Sequence, residues 1–351
     1  MKELFSQRLK TARLMRGYSM DELSNRLDGL VSKQSISKYE QGRMMPNSQV
    51  LIALSQVLNL PIDYFFRSGI KMKPVTFRGE THLSPQALQQ LIHITQDKME
   101  RYLQIEELLS LHYRFTNPLS RLQIADFEDV EKAVGILRQK WMLGQHPILT
   151  VYGMLESVHV RLLETDLGPD APLGFSTRVN GSIPVVVINQ SGNDTVERKR
   201  FTALHELAHL LLQFEPSVDK KSCERLCHRF AGAMLCPAEV CREELGLRRT
   251  AISLDEFISL KSLYGISVSA LVHRAKDLNI INDTYYHHIY NETIHANPKE
   301  EGWGGYPIPE YTDRFERLLR RAALEQVITM SRAAELANEK LGDFREKLQA
   351  L

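Results

Sequence analysis

The chain has 351 residues, 43% of them hydrophobic and 25% charged, with a formal net charge of +1. This is the composition of a globular protein long enough for two or three domains. The near-neutral balance excludes a global field that draws the chain to nucleic acid or membrane, and no apolar run approaches the roughly 18 residues of a membrane span. The start MKELFSQRLK lacks the character of a signal peptide. The only four cysteines, Cys223, Cys227, Cys236 and Cys241, crowd into one stretch. Reduced thiols in the cytoplasm suit that better than a disulfide framework.

Residues 1–67 read as a succession of short helices. Leu4, Phe5, Leu9, Ala12 and Leu14 give the first apolar face. Ser19 followed by Glu22 is a capping box for a second helix with Met20, Leu23 and Leu27 inward. Gly29-Leu30-Val31 turns the chain, and Ser32 caps a third helix. There Ile36 and Tyr39 face in while Lys33, Gln34, Ser37 and Lys38 face out. Asn47 caps a fourth helix, and the apolar run on to Phe66 completes a five-helix unit. A short helix, a tight turn and a helix with polar reach make a helix-turn-helix. The stretch carries 10 basic and 6 acidic residues, while the remainder has 34 and 37, so the positive charge sits where DNA would.

The phrase QSISKYEQGRMMPNSQVLIALSQVLNLPIDYFF closely resembles the Cro/cI (Xre) repressor domain over nearly the whole unit. The resemblance implies double-stranded operator DNA as a partner. It puts Lys33, Gln34, Ser37 and Lys38 on base edges or nearby phosphates in a major groove, where Gln pairs with adenine and Lys with guanine. Arg13, Arg16 and Arg43 are phosphate candidates. One copy reads only a half-site, so a homodimer is expected.

Residues 68–125 read as a helical connector. Pro74, Phe77 and Arg78-Gly79 break the pattern, and Ser84-Pro85 opens a long helix, with a spacer and dimer contact as its expected role. His82, His93 and His112 are read as surface or packing residues. In 126–280, Phe127 to Met142 is amphipathic helix, Val158 to Leu163 a first strand, and 174–188 a hairpin turning at Asn180-Gly181. Val185 to Ile188 is its most buried strand. Helices at Asp255 to Leu263 and Val268 to Leu278 follow. Residues 291–310 read as a Pro- and Gly-rich loop, and 311–351 as a partner-packing helical tail.

Within this second part lies FTALHELAHLLL, residues 201–212, containing His205, Glu206 and His209 as HExxH. Positions i and i+4 share a helix face, so two imidazoles can grip one ion. Imidazole suits zinc, and Glu206 beside the first ligand can take a proton from metal-bound water. Asp194 with Glu197 is the expected cap of this helix. A catalytic zinc needs a third protein ligand. Glu224, fifteen residues on and near the start of a second helix, is the choice; Asp219 is the runner-up.

HELAHLLL followed by E-x-x-x-H-x-FA-x-x-x-L-x-P resembles the ImmA/IrrE-type zinc peptidases over roughly residues 130 to 240. The resemblance implies a zincin-like domain with a small sheet beside the metal helix. It makes His205, His209 and Glu224 the ligands of zinc, or alternatively manganese, and Glu206 the general base. The family's Asn or Asp four residues after the ligand Glu is here His228, and the Met before the Pro is Cys236. A neutral His228 would accept the hydrogen bond that orients a ligand histidine. Tyr264, His273, His287 and His288 are candidates to stabilise developing charge.

The chain is therefore expected to be α+β and mostly helical. A helix-turn-helix unit (1–67), a connector (68–125), a peptidase domain (126–280) and a loop with a helical tail (281–351) follow in order. The expected function is a cytoplasmic DNA-binding regulator with a zinc endopeptidase that cleaves a protein, a partner repressor being one candidate substrate. The alternatives are a regulator whose metal domain senses or scaffolds without turnover, and an antitoxin-like DNA-binding module.

Overall fold

The computed structural model describes the chain except residues 68, 73–83, 193 and 350–351. The expected breaks at Pro74, Phe77 and Arg78-Gly79, and the lone His82, lie outside the described residues. Among the described residues the chain makes two compact units. One takes 1–72, 84–112 and 313–349, and the other takes 113–312.

The first unit opens with α1 (Lys2–Met15), α2 (Met20–Arg26), α3 (Lys33–Glu40) and α4 (Ser48–Leu58). Each start after the first is fixed by a side chain that accepts an otherwise unbonded backbone N–H: Ser19 with its Glu22 box, Ser32, and Asn47. The fifth expected helix is a 3-10 turn, Ile62–Phe66, entered through Pro61. Phe5, Leu9, Leu23, Ile36, Leu54, Leu58, Tyr64 and Phe65 close one core. Helix α5 (Pro85–Leu108) starts at Ser84, as the sequence predicts. It lies against α1, tied by a buried 2.6 Å pair between Arg8 and Glu100. Its apolar face, including Met99, Tyr102 and Ile105, is thus engaged inside its own unit.

The second unit begins with β1 (Gln123–Ile124), α6 (Phe127–Lys140) and α7 (Val151–Ser157). A sheet follows from β2 (Arg161–Thr165), β3 (Gly174–Val179) and β4 (Ile183–Asn189), in the order β2-β4-β3. β2 runs parallel to β4, and β3 antiparallel to it. The hairpin turns at Asn180 and Gly181, both at positive φ, where Ser182 N–H returns to the Val179 carbonyl. Val185 to Ile188 in the middle strand are fully buried. The first strand starts later than expected, because α7 occupies the preceding residues. No local side chain caps α7. The Glu310 carboxylate does so, accepting from Val151 N at 2.7 Å and Tyr152 N at 2.9 Å.

Helix α8 (Val196–Leu211) packs on the sheet, and β5 (Gln213–Phe214) pairs with β1. Helix α9 (Lys220–Leu235) packs on α8. Leu204, Leu207 and Leu211 meet Leu226, Phe230 and Met234 in the same core as Val186 and Ile188. Then come α10 (Ala238–Leu245), α11 (Leu254–Tyr264), α12 (Val268–Asp277) and α13 (Asp283–Ile289), which runs into a π-turn at Tyr290–Ile294.

The stretch read as a loop, 291–310, begins in that π-turn and then straps the unit from inside. Glu300 accepts from the N–H groups of Val268 and Ser269 at the start of α12 and pairs with Lys261 at 2.8 Å. Tyr306 N donates to Glu197 of α8 at 2.7 Å. The chain ends in α14 (Arg314–Leu324), α15 (Met330–Ala337) and α16 (Leu341–Gln349), which belong to the first unit. Arg314 donates to Tyr102 and Glu106 of α5, and Arg101 of α5 caps α15 at the Leu336 carbonyl. The described chain is α+β and mostly helical.

Candidate metal centre and nucleic-acid interface

Helix α8 carries the HExxH residues. Its cap is Thr195, which accepts from Arg198 N, and not Asp194; Glu197 is instead buried and holds Tyr306. His205 and His209 are one helical turn apart, with ring centroids 4.8 Å apart and nearly perpendicular. Their Nε2 atoms approach to 3.1 Å. Helix α9 starts from an Asp219 cap, packs on α8, and brings Glu224 to them in its second turn. Glu224 Oε2 lies 3.3 Å from His205 Nε2 and 3.5 Å from His209 Nε2. Asp219, the alternative ligand, is spent on Ser222 N at 3.0 Å and Ser222 Oγ at 2.7 Å.

The trio fits a small divalent ion. Ligand arms of 2.0–2.1 Å in a tetrahedron place donor atoms about 3.3 Å apart, and the three distances bracket that value. Glu224 Oε1 and His205 Nδ1 are buried without a hydrogen-bond partner in the protein. Buried polar atoms are seldom left so, and an ion held by this carboxylate would offset the missing partner. Burial pushes the Glu224 carboxyl up, but the His205 hydrogen bond and the charges of His209 and His205 outweigh it, so its pKa sits below the usual value.

Around the trio the two histidines are held differently. His209 Nδ1 lies 3.4 Å from Cys227 Sγ. The His205 ring faces the His228 ring at 4.4 Å, and His228 also stacks at 5.9 Å on Phe201. The orienting hydrogen bond expected from His228 is therefore absent: the contact is ring to ring, and His205 Nδ1 stays unpaired. Burial, then the charge of His205, lowers the His228 pKa to about 4, so the ring is neutral near pH 7.

Glu206 is buried on α8, facing the sheet edge at Gly174. A Cβ at Gly174 would meet Thr202 Cγ2 at 2.8 Å, the Val187 carbonyl at 2.9 Å and Glu206 Cγ at 3.4 Å. Only glycine lets β3 and α8 approach so closely. Of the expected charge stabilisers, Tyr264 is buried, with its carbonyl taken by Arg200. His273 Nδ1 sits 3.0 Å from Tyr286 Oη, and its charge bears on His228. His287 and His288 are exposed on α13.

Residues 9–65 match the helix-turn-helix family. Residues 155–276, which span the sheet, α8 and α9, match the IrrE N-terminal-like domain, a peptidase family. The chain joins a helix-turn-helix domain to an IrrE N-terminal-like domain. It is also similar to the SPbeta prophage-derived uncharacterized HTH-type transcriptional regulator YonR of Bacillus subtilis (strain 168), with 31% identity over 64 residues, 18% of this chain. The chain spans 57% of the length of that relative. No solved structure matches the chain.

A helix-turn-helix domain implies DNA binding, and an IrrE N-terminal-like domain implies a metallopeptidase-like fold and a metal. In the helix-turn-helix domain, α3 buries Ile36 and Tyr39 and exposes Lys33, Gln34 and Lys38. Ser37 is half-buried and accepts from Gln41, while Lys33 pairs with Asp21 at 2.6 Å. Arg43 is exposed. Arg13 is a correction: its guanidinium forks onto Glu40 at 2.6 and 2.9 Å, buried, and cannot also reach a phosphate. Arg16 caps α4, donating to the carbonyls of Leu58 and Asn59.

The sequence shows Cys223 and Cys227 flanking Glu224, but it did not reveal the contact of Cys227 with His209, Gly174 beside Glu206, or the Glu310 cap of α7. Only the first had a local signal. Cys227 follows Glu224 by three residues, which puts both on one face of α9.

In the IrrE-like domain no described helix is long and apolar enough to cross a membrane, and the same holds for the helix-turn-helix domain.

Proposed function

We propose that this is an operator-binding regulator whose IrrE-like domain is a zinc-dependent endopeptidase acting on a protein substrate. The observation that carries the reading is the trio His205, His209 and Glu224, with all donor separations between 3.1 and 3.5 Å and Glu206 next in sequence to the first ligand. Zinc, or manganese in its place, would be held by those three side chains and would supply Lewis acidity to the scissile carbonyl. Glu206 takes the proton of the attacking water on a carboxylate oxygen and passes it to the leaving amine. β3 is an edge of the described sheet and packs, with β4, against α8, so the substrate backbone pairs along it, gaining main-chain hydrogen bonds with little demand on sequence. The substrate is a repressor-like protein, and the helix-turn-helix domain acts as a dimer on double-stranded DNA, with Lys33, Gln34, Ser37 and Lys38 toward the groove.

The test uses the zinc-loaded full chain and a proteome-derived peptide library read by mass spectrometry. Cleavages appear with the unaltered chain and vanish with Glu206→Gln at equal zinc content. Equal cleavage by both proteins overturns the reading. A second reading, a metal domain that senses or scaffolds without turnover, is favoured by the unpartnered Nδ1 of His205. It predicts operator control that is unchanged in Glu206→Gln.

A further inference from the structure

We propose that Cys227 is a positioning residue for His209: its Sγ accepts a hydrogen bond from Nδ1–H and thereby fixes the ring tautomer that presents Nε2 to a divalent ion. The proposal rests on the metal-centre reading above. The geometry comes first. Cys227 Sγ and His209 Nδ1 are 3.4 Å apart, and Cys227 is fully buried on α9, the helix that also delivers Glu224. A rigid helix therefore supplies both the third ligand and the support of the second.

The thiol stands behind the ring and does not compete for the ion. The donor atoms of His205, His209 and Glu224 all lie within 4.8 Å of one another, and Cys227 is not part of that group. A thiol that occluded the metal would have to be. Which imidazole nitrogen binds a metal is set by the hydrogen bond of the other. Nδ1–H toward sulfur leaves the Nε2 lone pair directed at Glu224 Oε2, 3.5 Å away. Were the thiol to donate instead, the proton would sit on Nε2 and block ligation. His205 has no such support, since its Nδ1 is buried without a partner. The two imidazoles of one motif are thus unequally held, and His209 is the anchored one.

Losing a group that orients a metal ligand typically costs 10- to 100-fold in metal affinity, and sulfur is a weak acceptor, so an effect of about 10-fold is expected. The experiment uses the full chain, metal-free and with zinc ion as the probe. Competition with a chromogenic chelator gives zinc affinity for the unaltered protein, Cys227→Ala and Cys227→Ser. Nitrogen-15 NMR of neutral His209 in the metal-free protein gives its tautomer. The expected result is Nδ1–H in the unaltered protein, about 10-fold weaker zinc binding in Cys227→Ala with loss of that preference, and partial recovery in Cys227→Ser. Zinc binding by Cys227→Ala within about twofold of the unaltered chain overturns the proposal, as does an Nε2–H tautomer in the unaltered protein. The tautomer needs no variant, so it decides even if Cys227→Ala fails to fold. An unaltered chain that takes up no zinc removes the metal reading and this proposal together. A chain that binds zinc equally well without the thiol removes this one alone.

Discussion

Arg200 and Glu310 meet at 2.6 Å with neither side chain exposed to solvent. Arg200 lies on α8 five residues before His205, and Glu310 closes the strap that follows the π-turn. The remaining guanidinium N–H groups go to the carbonyls of Ile148, Leu149, Tyr264 and Gly265, and the Tyr306 ring lies 4.2 Å from the guanidinium carbon. One arginine therefore ties the helix that carries His205 and His209 to three other segments.

Removing one member of such a pair leaves the other charge buried and unpaired. Arg200→Met is expected to destabilise the second unit by about 3–5 kcal/mol. Glu310→Gln, which can keep the Tyr152 or Val151 contact, costs less. Urea unfolding of the metal-free full chain measures both, and equal stability of Arg200→Met and the unaltered protein contradicts the assignment.

Zinc should stabilise the unaltered chain and not Glu224→Ala. A ligand bound only by the folded state at 100 times its Kd adds about 2.7 kcal/mol. The expected observation is a zinc-dependent rise in Tm for the unaltered protein, with little or none for Glu224→Ala. A similar rise in both would mean that the ion sits elsewhere.

Two arginines of the helix-turn-helix domain should part company. Arg43→Ala is expected to weaken DNA binding uniformly across sequences and to lower the salt slope by about 1, the signature of a lost phosphate contact. Arg13→Ala should instead unfold the domain more readily, by about 3–5 kcal/mol, because Glu40 is left buried alone. Binding titrations at several salt concentrations, alongside thermal melts, separate the two effects.

Acid should loosen the second unit through Glu131. Burial pushes this carboxyl up, but Arg274 and then Arg229 more than offset it, and its pKa lies below the ordinary 4.5. Arg274 reaches both of its oxygens and Arg229 one. With the folded value depressed, the contribution is complete above about 4.5 and is lost as pH falls through the folded value. Tm measured from neutral pH down through that range should fall more steeply for the unaltered chain than for Glu131→Gln.

Gly174→Val should separate β3 from α8. The added carbons have no space between Thr202 and the Val187 carbonyl. The variant is expected to lose stability and to weaken zinc binding by displacing the helix that carries His205. Unchanged zinc affinity would show that the close approach is incidental.

Much of this was legible because local patterns repeat local physics. Ser19 with Glu22, Ser32, Asn47 and Ser84 mark helix starts through bonds that span three residues, and the chain alone contains both partners. Asn180-Gly181 marks the hairpin in the same way. Helix α7 was not legible, since its cap arrives from Glu310, 159 residues after the N–H it satisfies. Nor was the strap that follows the π-turn, whose Pro and Gly content describes an exposed loop although Glu300, Tyr306 and Glu310 within it are buried. Arg13 read as a surface cation because nothing local announces Glu40, 27 residues on.

The amino-acid order by itself determined the helix-turn-helix spacing and the pairing of His205 with His209, since a single helix turn fixes both. It named Glu224 only as a candidate, because a third donor is brought by the packing of α9 on α8, a contact between helices that no local rule specifies. Tertiary structure decided what stands behind each donor: sulfur behind His209, an aromatic ring beside His205, and a bare glycine facing Glu206. Two of those neighbours come from α9 and the third from β3, and their placement against α8 follows from filling one shared core at close-packed density.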